Sequence, residues 1–178
     1  LCLYTFIPLL SSLLMNKLKI RSPIQTFPLQ AMVSQPFKPF LNPLVSSSAL
    51  HCYVQQTSRG EIVFGGGSDP YPLYNTRSTL DLKESLLAHA IEMFPFMANV
   101  KLMRQWAGMT DMTPDYSPIM GQSPYDNYYL DAGWGTWGFK ATPICGKTMA
   151  ELVATGRTPD LIKPFELSRF SRFQQVNE

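Results

Sequence analysis

Charge is what this sequence is short of. Asp, Glu, Lys and Arg make up 16% of its 178 residues, against roughly 25% in an average soluble domain. A chain so poor in charge has a large uncharged surface, part of which belongs against a cofactor or another segment of protein. Fifteen Lys and Arg against thirteen Asp and Glu leave a net +2 with no basic run, which excludes a nucleic-acid-binding surface. Cysteine is scarce too. Cys2, Cys52 and Cys145 are odd in number and far apart. They supply neither a disulfide framework nor a CxxC metal pattern, and a reducing, cytoplasmic setting is the simpler expectation. With only His51 and His89 beside them, no zinc site is expected. Long hydrophobic runs are missing as well. The apolar stretch at 1–15 is broken by Pro8 and diluted by Ser11 and Ser12. It falls short of the ~20 residues that span a bilayer, so no membrane partner is expected.

What the chain does have is 45% apolar residues, enough to bury a core and to exclude disorder. The length suits one domain, or one lobe of a larger protein. Residue 1 is Leu, and Lys17, Lys19 and Arg21 follow the first apolar stretch instead of preceding it. A secretory signal needs the opposite order and a small-residue cleavage site. Truncated or foreign sequence is therefore the expectation for the front, with a buried helix or a targeting segment as alternatives.

Residues 24–34 are β-rich, and prolines at 36, 39 and 43 forbid a helix in the crossing that follows. Segments 49–56 and 61–65 flank Thr57-Ser58-Arg59-Gly60, a hairpin signal. Gly65-Gly66-Gly67 is expected to break the second of these strands. Residues 81–94 give the clearest helix, with Asp81 as cap, Glu84 completing a capping box, and Pro95 as the stop. Strands are expected at 100–109, 117–121 and 127–132, with a turn at Thr113-Pro114-Asp115 between the first two. A loop rich in Gly and Trp covers 133–143, and a second helix runs 146–155 until Gly156 ends it. No repeat or low-complexity tract occurs. Antiparallel-type strands with two helices define an α+β class.

The chemistry concentrates between Asp131 and Thr148, where a strand enters a glycine turn, then a lone Lys, then a helix. Gly133, Gly135 and Gly138 permit positive φ and close approach of a ligand to the backbone. A helix N-terminus is electropositive, and Lys140 adds a full charge beside it. Such a site suits a carboxylate, a phosphate or the pyrimidine edge of a reduced flavin. A tight loop with Lys140 simply solvated explains the same spacing. Neither a Walker loop nor a Rossmann GxGxxG is present: Gly138 is followed by Phe139, and no βαβ unit surrounds Gly65-Gly66-Gly67. His51 reads as a packed or rim residue of a strand, Lys101 and Arg104 as solvated. Cys145 lies near the expected helix start, where a thiol's pKa is lowered, although packing is its simplest role.

RQWAGMTDMTPDYSPIMG followed by YYLDAGWGTWGFKATP resembles the C-terminal half of the D-amino-acid-oxidase-type flavoproteins. Within that superfamily the chain is most similar to the β subunits of heterotetrameric sarcosine oxidases. PIQTFPLQAMVSQPFKP, ALHCYVQQTSRGEIVFGGGSDPY and PFELSRF extend the likeness over about 22–175. The resemblance implies a large, mostly antiparallel sheet with flanking helices, the substrate lobe of a two-lobe flavoprotein whose Rossmann lobe is absent from this chain. It divides the sequence into 1–21, a non-matching or truncated N-terminal segment; 22–130, the substrate-binding antiparallel-sheet lobe; and 131–178, the flavin-contacting Gly-rich loop, C-terminal helix and tail.

It further implies FAD as cofactor, with FMN possible in a full complex. Gly135, Thr136, Gly138, Phe139 and Lys140 match FAD-contacting positions, and Lys140 is placed on the substrate carboxylate. The implied reaction is oxidative demethylation of sarcosine: hydride passes from the N-methyl carbon to FAD, and the imine hydrolyses to formaldehyde and glycine. The helix after Pro143 would turn its positive end to the flavin N1–C2=O edge. Glycine-oxidase-like relatives carry a carboxylate-clamping Arg where this chain has Thr110, which leaves Lys140 as the available cation. Trp137 departs from the family's usual Gly. The histidine that attaches FMN in the family has no counterpart at His51 or His89. Partners implied are the missing FAD lobe and further subunits of a hetero-oligomer. A truncated non-catalytic fragment, an interaction subunit, or another amine oxidase or dehydrogenase of the superfamily are the alternatives.

Overall fold

Alternating burial organises the chain into strands. The computed structural model describes residues 2–5, as backbone, and 11–171. The strands are β1 (Cys2–Thr5), β2 (Gln25–Pro36), β3 (Val45–Ser47), β4 (Cys52–Gln56), β5 (Glu61–Ser68), β6 (Leu102–Met112), β7 (Ile119–Gln122) and β8 (Tyr128–Ala132). The helices are α1 (Ser11–Lys17), α2 (Leu80–Met93) and α3 (Gly138–Thr155), with short 3-10 turns at Pro95–Asn99, Asp160–Phe165 and Leu167–Phe170. The result is an α+β fold with a mostly antiparallel sheet and flanking helices. It divides into two compact units, Phe27–Met109 and the remainder.

In the first unit the order β3-β4-β5-β2-β6 makes a five-stranded sheet. The β4–β5 hairpin closes on the expected turn: the Thr57 amide donates to the Glu61 carbonyl and the Gly60 amide to the Thr57 carbonyl, at 2.8 and 3.0 Å. Met32, Val54, Ile62 and Phe64 face one way and are covered by Leu86 and Ala90 of α2 and by Met97. Burying a side chain such as Phe64 contributes about 2–3 kcal/mol, so this one face supplies most of the unit's stability. Two expectations fail here. The glycine triplet does not break β5. Gly65 allows the β2 backbone to come so close that a Cβ would sit 2.6 Å from the Gln30 carbonyl oxygen, and Gly66 takes φ +126° in an irregular stretch of pairing. Nor does Asp81 cap α2. Thr79 holds the cap position without a side-chain cap bond: its hydroxyl oxygen accepts from Gln30 Nε2 at 3.0 Å instead of from the first turn, and its proton goes to Asp69 Oδ1 at 2.7 Å. Asp81 lies instead in the first turn, where its charge suits the helix dipole.

In the second unit β8 is buried on both faces. It pairs antiparallel with β7 and parallel with β1, Cys2 opposite Tyr128 and Thr5 opposite Asp131. Leu130 and Ala132 pack against Met15 of α1, Ile20 and Ile24. Tyr129, on the opposite face, packs with Cys145, Met149 and Leu152 of α3. Residues 11–17 are thus a helix with a buried Met15, the alternative named above for that stretch.

A buried ion pair closes this unit. Arg169 Nε donates to Asp115 Oδ2 at 2.9 Å and Nη2 to Oδ1 at 3.2 Å, and Nη2 also reaches the Ser117 carbonyl at 2.9 Å. The turn at Thr113-Pro114-Asp115 forms as expected, with the Tyr116 amide on the Thr113 carbonyl. The tail's grip on it was not visible in the sequence.

Candidate functional site

The loop after β8 is shaped from both ends. Gly133 takes φ +74°, and a Cβ there would lie 2.7 Å from Thr113 Cγ2. Gly135 takes φ +54°, and its added Cβ would meet only Met112 Cγ, at 3.7 Å. Its backbone is therefore pinned in shape yet open to approach, as a cradle for a ligand must be. Between them Trp134 forms an antiparallel bridge with Met112. The Gly135 amide donates to the Asp111 carbonyl at 2.9 Å, and the Trp137 amide to the Trp134 carbonyl at 3.0 Å.

Two expectations for this stretch are corrected. The helix begins at Gly138, not at 146, so Gly138 is helical and positive φ is confined to Gly133 and Gly135. Pro143 is a helix breaker by local propensity. It lies inside α3 and removes only one donor, the one that Phe139's carbonyl would have received. The Thr142 hydroxyl donates back to the Gly138 carbonyl at 2.9 Å in the same turn. The electropositive end of the helix therefore sits eight residues earlier than expected, at Gly138, Phe139 and Lys140.

No side chain caps that end, so the first-turn N–H groups have no side-chain partner there. The Lys140 ammonium lies 5.9 Å from the centroid of the Trp137 ring. Among the described residues no carboxylate forms an ion pair with it. Trp137 is 57% exposed and Phe139 92% exposed, two bare rings flanking a cation. The predicted residues Gly135, Thr136, Gly138, Phe139 and Lys140 thus stand on one loop and one helical turn. Thr110 is buried on β6 and brings no charge.

Two buried residues back the loop. Asp131 is buried on β8, and the Trp134 Nε1–H donates to its Oδ1 at 2.6 Å. Burial pushes the Asp131 carboxyl above its ordinary range, partly offset by that hydrogen bond. Cys145 is the second. It is buried eight positions into α3, and burial together with the Asp131 charge raises its thiol to about 11. The thiol is raised, not lowered as at a helix start, and Cys145 packs in the core, its simplest expected role. His51 is exposed in the turn before β4, with φ +46°, and is not a strand residue. Among the described residues no cluster of His, Cys, Asp and Glu could hold a metal, and no helix is long and apolar enough to cross a membrane.

An open glycine backbone, an uncapped helix end, a lone cation and two exposed rings fit a flat, anionic, aromatic group. Sequence comparison agrees. The family model described as DAO, FAD dependent oxidoreductase, matches residues 6–152, and the chain belongs to that family. It is 42% identical to the sarcosine oxidase subunit beta of Rhodobacter capsulatus and 40% identical to that of an Arthrobacter species, over 94% of this chain in each case. Those alignments cover 40% and 42% of the relatives, so the chain spans about two-fifths of their length. Among solved structures, L-proline dehydrogenase from P. horikoshii superposes with a TM-score of 0.87 at 28% identity, over 96% of this chain and 47% of that one.

Proposed function

We propose that this chain forms the substrate lobe and flavin-contacting loop of a sarcosine oxidase β-like flavoprotein, which oxidatively demethylates sarcosine. The observation that carries the reading is Lys140, a cation with no carboxylate partner among the described residues, standing on a helix end without a side-chain cap, directly after a backbone loop left open by Gly135. FAD, when bound, supplies the acceptor for the hydride leaving the N-methyl carbon. Gly135, Thr136, Gly138 and Phe139 would hold it through backbone and ring. Lys140 would anchor the single carboxylate of the substrate and so fix the amine's orientation. The N–H groups of the first turn of α3 add fixed positive potential and need no reorganisation as charge develops. The dinucleotide fingerprint is supplied from outside these 178 residues, and the protein works in the cytoplasm with further subunits, as the naming of its relatives as subunits suggests.

The likeness to a proline dehydrogenase favours one second reading, because proline is also a secondary amine with a single carboxylate. The test is Lys140→Met in the flavin-loaded protein, assayed with sarcosine and with L-proline. A hydrogen bond to a charged group contributes about 1.5–3 kcal/mol, so KM for sarcosine should rise roughly 10- to 150-fold. Unchanged sarcosine affinity overturns the role of Lys140. A higher kcat/KM for L-proline than for sarcosine in the unaltered protein replaces the substrate.

A further inference from the structure

We infer that Asp131 is a positioning residue for loop 133–137: through the Trp134 indole it sets the backbone that the cofactor approaches. The inference rests on the flavin-loop reading and adds to it the group that gives the loop its shape.

A buried carboxylate needs a reason. Asp131 lies on the face of β8 that turns toward α3, in a layer otherwise made of Tyr129, Cys145 and Met149. No Lys, Arg or His forms an ion pair with it among the described residues. An apolar residue would serve that layer better, since an unpaired charge there is strongly penalised. The one side-chain hydrogen bond shown for Asp131 is the 2.6 Å contact from Trp134 Nε1, charge-assisted and so stronger than a neutral one.

Trp134 is also the hinge of the loop. Its neighbours are Gly133 and Gly135, both at positive φ. Glycine on each side leaves the backbone free to rotate, so the loop's conformation is not set by its own sterics. It is set by the contacts that hold it: the bridge from Trp134 to Met112, the Gly135 amide on the Asp111 carbonyl, the turn closed by the Trp137 amide, and the indole held by Asp131. The first three are main-chain contacts that any residue would make. The ring itself is held by packing against the cluster of Met120, Tyr129, Cys145 and Met149 and by the Asp131 hydrogen bond, which is the contact that selects an indole N–H. α3 begins four residues after Trp134, so this anchor bears on the segment that leads into its open end.

The experiment compares Asp131→Asn, Asp131→Leu and Trp134→Phe, alone and as the Leu/Phe pair. The first readout is amide hydrogen exchange at Gly135 and Trp137, with the indole N–H resonance of Trp134, in the 178-residue chain. The second is FAD retention by the flavin-loaded protein. Asp131→Leu and Trp134→Phe should each speed exchange at both amides about tenfold or more and weaken FAD retention by a similar factor. Asp131→Asn, which keeps an acceptor, should stay within about threefold of the unaltered chain. The pair should be no worse than the stronger single change. The inference is overturned if Asp131→Leu leaves Gly135 and Trp137 exchange unchanged, if Asn fails to rescue, or if the two changes add. Gly135→Val separates the two levels. If it leaves FAD retention untouched, the flavin-loop reading falls, while the exchange data still decide whether Asp131 shapes the loop.

Discussion

Replacing Arg169 by Met removes the partner of a carboxylate that has no access to water. The Arg169 and Asp115 side chains are 3% and 0% exposed. The guanidinium donates to both Asp115 oxygens, to the Ser117 carbonyl, and through Nη1 to the Phe165 carbonyl at 2.8 Å, while its carbon lies 4.2 Å from the centre of the Phe170 ring. Met keeps much of the volume but none of the donors. Breaking one side of a buried pair costs about 3–5 kcal/mol, because the charge left behind stays desolvated. For a chain of this length each kcal/mol lowers Tm by about 2–4 °C, so the drop should be roughly 6–20 °C. Asp115→Asn also strands a buried charge, but should cost less, since the Arg169 guanidinium keeps the Phe165, Glu166 and Ser117 carbonyls and the amide oxygen as acceptors. Adding it to Arg169→Met should recover part of the loss, because the stranded charge is gone. Thermal unfolding followed by circular dichroism of the four proteins reads all of this. A drop below about 2 °C for Arg169→Met would show that the pair does not hold the tail to the 113–117 turn, and a double variant as unstable as the sum of the singles would refute the stranded-charge argument.

Two further outcomes are expected. With its thiol raised to about 11, Cys145 in the native chain should resist alkylation at pH 8 and become reactive on unfolding. Its folded pKa lies above its unfolded one, so its contribution to stability is full below pH 9 and is lost as pH rises toward 11. Peptide mapping after iodoacetamide treatment checks the reactivity, and labelling of Cys145 in the native state at pH 8 contradicts it. Gly65→Ala should destabilise by about 1–3 kcal/mol, because the new methyl meets backbone atoms of Gln30 and Ala31 that cannot move aside. Gly108→Ala, with nothing within 4 Å of the added carbon, should fall within about 0.5 kcal/mol in the same urea titration.

Much of the fold could be read from local pattern because local chemistry decides it. The β4–β5 hairpin follows from Thr57-Ser58-Arg59-Gly60, and α3 ends at Gly156, which takes φ +67° and donates its amide to the Leu152 carbonyl at 2.8 Å. The failures share one cause: a tertiary contact outweighed a local signal. Gly65-Gly66-Gly67 signals a break only until β2 packs against it, where the lack of a side chain becomes the reason the strands can pair. Thr79 would be an ordinary cap were its hydroxyl oxygen not engaged by Gln30 Nε2 at 3.0 Å, within a network in which Thr79 donates to Asp69 Oδ1, Gln30 Nε2 also to Asp69 Oδ2 at 2.9 Å, and Gln105 Nε2 to Gln30 Oε1 at 3.0 Å. Strands of three residues such as Val45–Ser47 carry no period at all, and only pairing with β4 defines them.

The site divides the same way. Glycine spacing and a lone lysine are covalent features of the chain, so residues 135–140 could be picked out before any geometry was known. Where the helix dipole begins could not, because Pro143 is a strong breaker by propensity while α3 tolerates it six positions in. The one donor it removes leaves a single carbonyl unmet, and packing of Cys145, Met149 and Leu152 into the second unit's core outweighs that loss. Moving the helix start from 146 to 138 changes the chemistry as well as the boundary. A helix beginning at 146 would leave Lys140 on a flexible loop, a charge free to wander. A helix beginning at 138 puts Lys140 in the first turn, where the side chain and the peptide dipoles act on the same anion. The rigidity of that arrangement then depends on how the loop before it is held, which returns the question to Asp131, a residue whose type gives no hint of its role until Trp134 is seen beside it.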